Sequence, residues 1–254
     1  MLNFKKVSKV YFSPSGTTEK IVNEVAKNFD IPQKNYDLLS FDSEKTFNDE
    51  LVIIGMPVFN GRIPKIACER LSKMKSNNAK AIVILNYGNM EYGDSLLELK
   101  ELLGKNNFQI VGIATTVSQN SLFNQIAKNR PDHQDLVKIN EFTQNLMKKL
   151  ERGDLNEIFV SGYKPYQKYL VPKYFVSCDE NQCVECMDCV YTCPEEAILE
   201  ETPTMTNIND CSRCSTCINI CSEGARSFTG PQFESERQYA MDNYMDRKEP
   251  EFYF

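Results

Sequence analysis

Two blocks of cysteines carry the most specific chemistry in the chain. Residues 183–193, CVECMDCVYTC, and 211–221, CSRCSTCINIC, each set three cysteines at two-residue gaps and a fourth after three more residues. Together they hold eight of the ten cysteines. A short loop carrying three thiolates at such gaps can wrap three corners of one iron–sulfur cube, while the fourth cysteine points away. Structural zinc draws paired CxxC knuckles from separated segments. A disulfide framework belongs to a secretory context. The amino-terminal stretch MLNFKKVSKVYFSPSG has only a short apolar run, broken by Ser8 and Lys9, which is too short for a signal peptide. The expectation is a cytoplasmic protein whose thiols bind iron–sulfur centres.

The spacing resembles that of bacterial two-cluster ferredoxins. That resemblance implies that the fourth cysteine of each block ligates the other block's cluster. Cys183, Cys186, Cys189 and Cys221 would then hold one 4Fe–4S cluster, and Cys211, Cys214, Cys217 and Cys193 the second. Pro194 gives the first block the usual Cys-Pro ending, whereas Ser222 follows Cys221; this departure bears on local loop conformation, since proline is not a ligand. Cys178 lacks the ligand spacing and reads as a bystander, and Cys68 as packing inside a helix.

The net charge of -6 is unevenly spread. Residues 178–228 carry ten acidic and two basic side chains, residues 1–177 nineteen and twenty-four. Opposite signs favour docking of one half on the other, or of the acidic half on a basic partner. No run approaches the length of a membrane span, and no nucleic-acid partner is expected.

Upstream of the cysteines, strands and helices alternate. VSKVYF (residues 7–12), YDLL near residue 36, the run from residue 50 that includes LVIIGMPVF, AIVILN (81–86) and QIVGIATTV (109–117) read as strands. Helices should begin near Thr17 and at Pro64, with Ile66, Ala67, Leu71 and Met74 as the inner face of the second. A leucine-rich helix ends near Lys105, and a last long helix runs from Pro131 to Leu150 with Gly153 at its end. The alternation predicts a doubly wound five-stranded parallel sheet of order 2-1-3-4-5, with a ligand above the carboxyl ends of the strands. Three loops should meet there: residues 13–18, 57–62 and 87–94. The first holds Ser13, Ser15, Gly16, Thr17 and Thr18 at a helix amino terminus, an anion site without the Walker lysine.

SPSGTT resembles the phosphate loop of flavodoxins, and the other two loops occupy flavodoxin-like positions. The resemblance implies FMN, with Pro57, Phe59, Asn60 and Gly61 along one side of the ring and Tyr87, Gly88, Asn89, Tyr92, Gly93 and Asp94 along the other. Phe59 and a tyrosine would flank the ring, and the Asn60-Gly61 peptide would meet flavin N5. There is no tryptophan, the common stacking residue in flavodoxins, so tyrosine must substitute. The whole chain resembles the flavodoxin–ferredoxin fusion proteins of anaerobes, the ferrodoxin family. The implied organisation is a flavodoxin-like domain (1–153), an aromatic arm (154–177), a small α+β two-cluster domain (178–228) and a tail (229–254) packed on its own chain or a second copy. Residues 197–210 look like two short strands around a proline turn.

His133, the one histidine, sits far from these loops and reads as solvated or capping. No Ser-His-Asp, zinc or paired-carboxylate arrangement is evident, so no catalytic side chain is assigned and the chemistry falls to cofactors. The leading expectation is an electron carrier between a low-potential donor and an acceptor, with a redox partner protein. The alternatives are an FMN-dependent reductase of a small organic acceptor such as a quinone, and a docking module without flavin. Nicotinamide binding is disfavoured, because no GxGxxG follows a strand.

Overall fold

The computed structural model describes residues 4–170 and 172–254. In chain order the first portion comprises β1 (Val7–Tyr11), α1 (Thr17–Ala26), β2 (Gln33–Asp37), β3 (Lys45–Asn48), β4 (Leu51–Pro57), α2 (Lys65–Ser72), β5 (Met74–Asn77), β6 (Lys80–Tyr87), α3 (Ser95–Lys105), β7 (Gln109–Val117) and α4 (His133–Arg152). There follow β8 (Phe175–Cys178), α5 (Asp188–Tyr191), α6 (Thr216–Ile220), β9 (Arg226–Thr229), α7 (Pro231–Asn243) and β10 (Glu251–Tyr253). Residues 1–3 and Val171 of the arm lie outside the described residues.

The result is a mixed α/β architecture around a mostly parallel sheet. Strands β2, β1, β4, β6 and β7 pair in parallel in that order, which is the expected 2-1-3-4-5 arrangement. The β4 sequence LVIIGMP is buried throughout, as a central parallel strand covered on both faces requires. Successive residues feed opposite cores. Ile54 packs in the layer that holds α2 and α3, and Ile53 in the layer that holds α1 and α4. At Gly55 a Cβ would lie 2.3 Å from Val22, so the absent side chain lets α1 descend onto the sheet centre.

Three segments correct the sequence reading. The sheet has six strands rather than five, because β10 from the tail pairs antiparallel with β7 along its free edge. Phe252 stacks on Phe142 of α4 at 5.0 Å, which holds that strand in register. The tail thus packs on its own chain. The second helix ends at Ser72, and Met74 opens β5, which pairs with β3 in a separate two-stranded parallel sheet. Its burial comes from a strand, whose alternation brings Met74 and Ser76 inward. Residues 197–210 form turns, not two strands; β9 instead pairs antiparallel with β8 at the end of the arm.

No helix among the described residues is long and apolar enough to cross a membrane.

Candidate functional site

The loops that follow β1, β4, β6 and β7 converge on a cavity of about 840 Å³ at the carboxyl edge of the sheet. In the first loop Gly16 has φ +75° and occupies the N-cap of α1, where it brings no capping side chain of its own. The Ser15 and Thr17 hydroxyls stand 3.0 Å apart and line the cavity. Ser13 turns the other way, its Oγ accepting the Glu19 N–H at 2.9 Å, and Thr18 is buried. Asn86, at the end of β6, donates to Thr17 and Thr18 at 3.2 Å each and accepts from Ser118 at 2.8 Å. It ties the first loop to the strand edge.

The second loop is a two-residue turn. Asn60 (φ 49°) and Gly61 (φ 72°) are both left-handed, and Phe59 and Arg62 exchange backbone hydrogen bonds of 2.9 and 3.1 Å across them. This is the turn that an Asn-Gly pair favours. Arg62 anchors it from beneath. Its guanidinium makes a bidentate contact with Glu98 (2.8 and 2.6 Å) and lies 4.1 Å from the Tyr169 ring centroid. Cys68 lies beside Glu98, and burial, with that carboxylate nearby, pushes its thiol up to about 12, so it stays protonated. Pro57, Phe59, Asn60 and Gly61 line the cavity, as do Tyr87, Gly88 and Gly93 of the third loop.

Three residues expected in the same ring contact do other work. Asp94 accepts the backbone N–H of Tyr163 (3.0 Å) and Gln167 (2.9 Å), which fastens the arm. These bonds hold its carboxyl below the usual carboxylate range. Asn89 donates to the Tyr244 and Asp246 carbonyls at 2.8 Å each, which fastens the tail. Tyr92 packs edge-on against Tyr87 at 5.3 Å and donates to Glu251 at 2.9 Å. The arm and tail are therefore parts of the wall. Gln167, Tyr169 and Leu170 line the cavity, and Gln167 Nε2 donates to the Asn60 carbonyl at the centre of the turn.

The cysteines form two chambers. Cys183, Cys186, Cys189 and Cys221 line the first, together with Cys178, Pro203 and Arg226. Cys193, Cys211, Cys214 and Cys217 line the second, with Thr206 and Ile198. The two blocks repeat at an offset of 28 residues, and the backbone repeats with them. Glu185 and Arg213 have φ 52° and 58°, Met187 and Ser215 66° and 70°, Glu196 and Gly224 53° and 64°. Ala197 N–H donates to Cys193 Sγ and Ala225 N–H to Cys221 Sγ, each at 3.3 Å. Left-handed residues in such loops turn N–H groups inward and make concavities that suit anionic groups, iron–sulfur clusters included. Burial pushes the Cys214 thiol up to about 11 and the Cys217 thiol up to about 12. Among the described residues no three His, Cys, Asp or Glu side chains close on a single metal ion.

The second chamber backs onto the cavity. Cys211, Ser212, Cys214 and Glu195 line both. Asn219 at the end of α6 donates to the Pro14 carbonyl of the first loop at 3.4 Å, and Arg70 of α2 donates to Pro194 at 2.9 Å. The first chamber shares no lining residue with the cavity, and its Cys186 is exposed. His133 is exposed at the start of α4, behind the Asp132–Asp135 capping box.

No family model matches the chain. An uncharacterised protein of Methanocaldococcus jannaschii is 26% identical over 138 residues, which is 52% of this chain and 90% of that protein. Among solved structures, rubredoxin oxygen:oxidoreductase from the anaerobe Desulfovibrio gigas is similar with a TM-score of 0.44 at 20% identity; the match covers 58% of this chain and only 36% of that one. A flavodoxin of Streptococcus pneumoniae TIGR4 is similar with a TM-score of 0.39 at 14% identity, over 57% of this chain and 99% of that one. A flavodoxin of Fusobacterium nucleatum bound to flavin mononucleotide is similar with a TM-score of 0.38 at 14% identity, over 59% and 99%.

Sequence reasoning missed Asn86, Arg62 with Glu98, Arg70 and Gln167. A polar residue closing the apolar run AIVILN is a usable signal for Asn86. The others act across long sequence separations, 36 residues for Arg62 to Glu98 and 107 for Gln167 to Asn60, and leave no local pattern.

Proposed function

We propose that this chain is an electron-transfer flavo-iron–sulfur protein that holds FMN in the cavity and one 4Fe–4S cluster in each cysteine chamber. The observation that carries the reading is the shared wall: Cys211 and Cys214 line the same cavity as the Ser15–Thr17 loop and the Asn60–Gly61 turn. When bound, the clusters supply one-electron exchange and FMN couples it to two-electron chemistry.

The residues suit these groups. Each chamber brings together one block's first three cysteines and the fourth of the other block. A cube holds its thiolates at outer corners, farther apart than the ligands of one ion, which accords with the lack of a single-ion site among the described residues. The α1 amino terminus with Ser15 and Thr17 offers donors to a phosphate. The Asn60 carbonyl is directed by Gln167, and Tyr87 supplies an aromatic wall. The arm and tail supply part of the cavity's wall through Gln167, Tyr169, Leu170 and Tyr244.

The layout supports an order. The first chamber, with exposed Cys186 and Val184, faces solvent and suits exchange with a partner protein. The second shares Glu195, Cys211, Ser212 and Cys214 with the cavity lining, and the first shares none. Both basic residues of the module are spent internally, Arg213 on the Tyr174 and Cys211 carbonyls (3.1 and 2.6 Å) and Arg226 on Thr206 (3.0 Å). Exposed Glu185, Asp188 and Glu223 line the first chamber, and exposed Asp179 and Glu180 follow Cys178 in sequence, which favours a basic partner.

A second reading, reduction of a small organic acceptor at FMN, draws support from the cavity's size. Its volume is near the top of the range of roughly 300–1,000 Å³ for small-molecule sites. The test of the proposal is iron, acid-labile sulfide and released flavin per chain on protein purified without oxygen. About eight iron atoms and a single FMN are expected. Iron without flavin, even after FMN is added, would overturn the cavity assignment and leave the cysteine portion as a docked electron carrier.

A further inference from the structure

The first chamber contains one thiol more than a cube has corners to fill. Cys178 lines it beside Cys183, Cys186, Cys189 and Cys221. The placement is built by the backbone. Cys178 is the last residue of β8, paired with Arg226 of β9. The chain then turns on Asp179, whose N–H donates to the Ala225 carbonyl at 2.8 Å and whose own carbonyl accepts the N–H of Gln182 (3.1 Å) and Cys183 (3.0 Å). This turn returns Cys183 to the chamber that Cys178 lines.

The second chamber lacks the extra thiol. At the offset of 28 residues the counterpart of Cys178 is Thr206, which lines that chamber and accepts from Arg226 Nη1 at 3.0 Å. A threonine hydroxyl held by a guanidinium is no replacement for a thiolate. The counterpart of Cys183 is Cys211, so the two chambers differ where one has a neighbouring sulfur and the other does not.

We propose that Cys178 is a reserve ligand of the first chamber, positioned to take the cluster corner held by Cys183. This rests on the iron–sulfur reading above. In the exchange the iron–sulfur bond to Cys183 breaks and one to Cys178 forms. The Cys178 thiol gives up its proton as the released Cys183 thiolate takes one, so no electron is gained or lost. Cys178 is half-buried and reachable by solvent, and its thiol makes only a long contact of 4.0 Å with the Asp179 carbonyl among the described residues. The arrangement protects the more exposed of the two clusters against loss of one ligand.

The experiment compares wild type with Cys183→Ala, Cys178→Ala and the double variant, all purified without oxygen. Iron and acid-labile sulfide are counted, and the reduced clusters are observed by electron paramagnetic resonance. Both single variants are expected to keep about eight iron atoms and the double variant about four, with the second chamber's signal persisting as an internal check on folding. Mass spectrometry after iodoacetamide gives an independent readout. Cys178 should be alkylated in wild type and protected in Cys183→Ala. If Cys183→Ala does not fold, Cys183→Ser is carried through the same alkylation. The proposal is overturned if the single Cys183 variant falls to about four iron atoms or if its Cys178 alkylates as fast as in wild type. A wild-type protein without two clusters would instead sink the iron–sulfur reading itself.

Discussion

Cys214 and Cys217 of the second chamber are buried, while Cys186 of the first is exposed and Val184 beside it is 63% exposed. Yet the two loops share left-handed residues and thiolate-directed N–H groups at an offset of 28 residues. One backbone recipe is therefore set in two environments. Hydrogen bonds to sulfur and solvent exposure tune iron–sulfur potentials. Here the bonds from Ala197 and Ala225 are matched at 3.3 Å, so exposure and the neighbouring sulfur of Cys178 are what distinguish the two sites. The surroundings, rather than the motif, assign each chamber its place.

The sharpest way to break that distinction is to remove one chamber at a time. Cys217→Ala and Cys189→Ala should each lower iron from about eight to about four atoms per chain. Their consequences differ. The Cys189 variant should still exchange electrons between its remaining cluster and the flavin, whereas the Cys217 variant should leave flavin and cluster uncoupled, as stopped-flow spectra of the two chromophores would report. Identical behaviour would mean that position carries no function.

Charge offers the next test. Electron delivery from a basic protein donor should slow on the order of tenfold as salt rises from low to physiological levels. Charge reversal at Glu185 and Glu223 should flatten the dependence, while reversal at Glu234, in the exposed first turn of α7 and outside the first chamber's lining, should not. Equal effects would argue against the first chamber as the port.

Smaller effects probe the cavity wall. Asn86→Ala should weaken FMN binding and lower stability by about 1–3 kcal/mol, because the Thr17, Thr18 and Ser118 hydroxyls lose their shared partner. Flavin titration and denaturant unfolding check this. Gln167→Ala removes a single hydrogen bond, worth roughly 0.5–1.5 kcal/mol, and should shift the flavin's potential with iron content unchanged. The smallest expected change concerns pH. Asp94 is held ionised by two N–H donors, so its contribution is full above the ordinary aspartate value of 3.8 and is lost as pH falls below that. Hydrogen exchange of residues 160–168 should rise only in that acid window.

How much of this was legible depended on whether the cause was local. The parallel order followed from alternating runs such as VSKVY and LVIIGMP, since burial on both faces imposes continuous apolarity. The cysteine blocks were legible because their spacing repeats at an offset of 28 residues, and each chamber gathers three cysteines of one block with the fourth of the other. The ties of Asn89, Tyr92 and Asp94 were not legible, because their partners lie in the arm and tail, 69 to 159 residues away. The strand EFY was missed because three residues carry too little pattern, and its pairing depends on an edge that exists only once β7 is in place.

That last strand also sets an order of assembly. Chains emerge from the amino terminus and domains fold as units during synthesis. Here, however, residues 251–253 complete the sheet that residues 7–11 began, and the chain between them has already passed through both cysteine blocks. The wall held by Asn89 and Glu251 cannot close until translation of the tail is finished. On the proposed reading, the cysteine module would then be available for cluster loading while its neighbour is still open, and a flavin would be the last group to be enclosed.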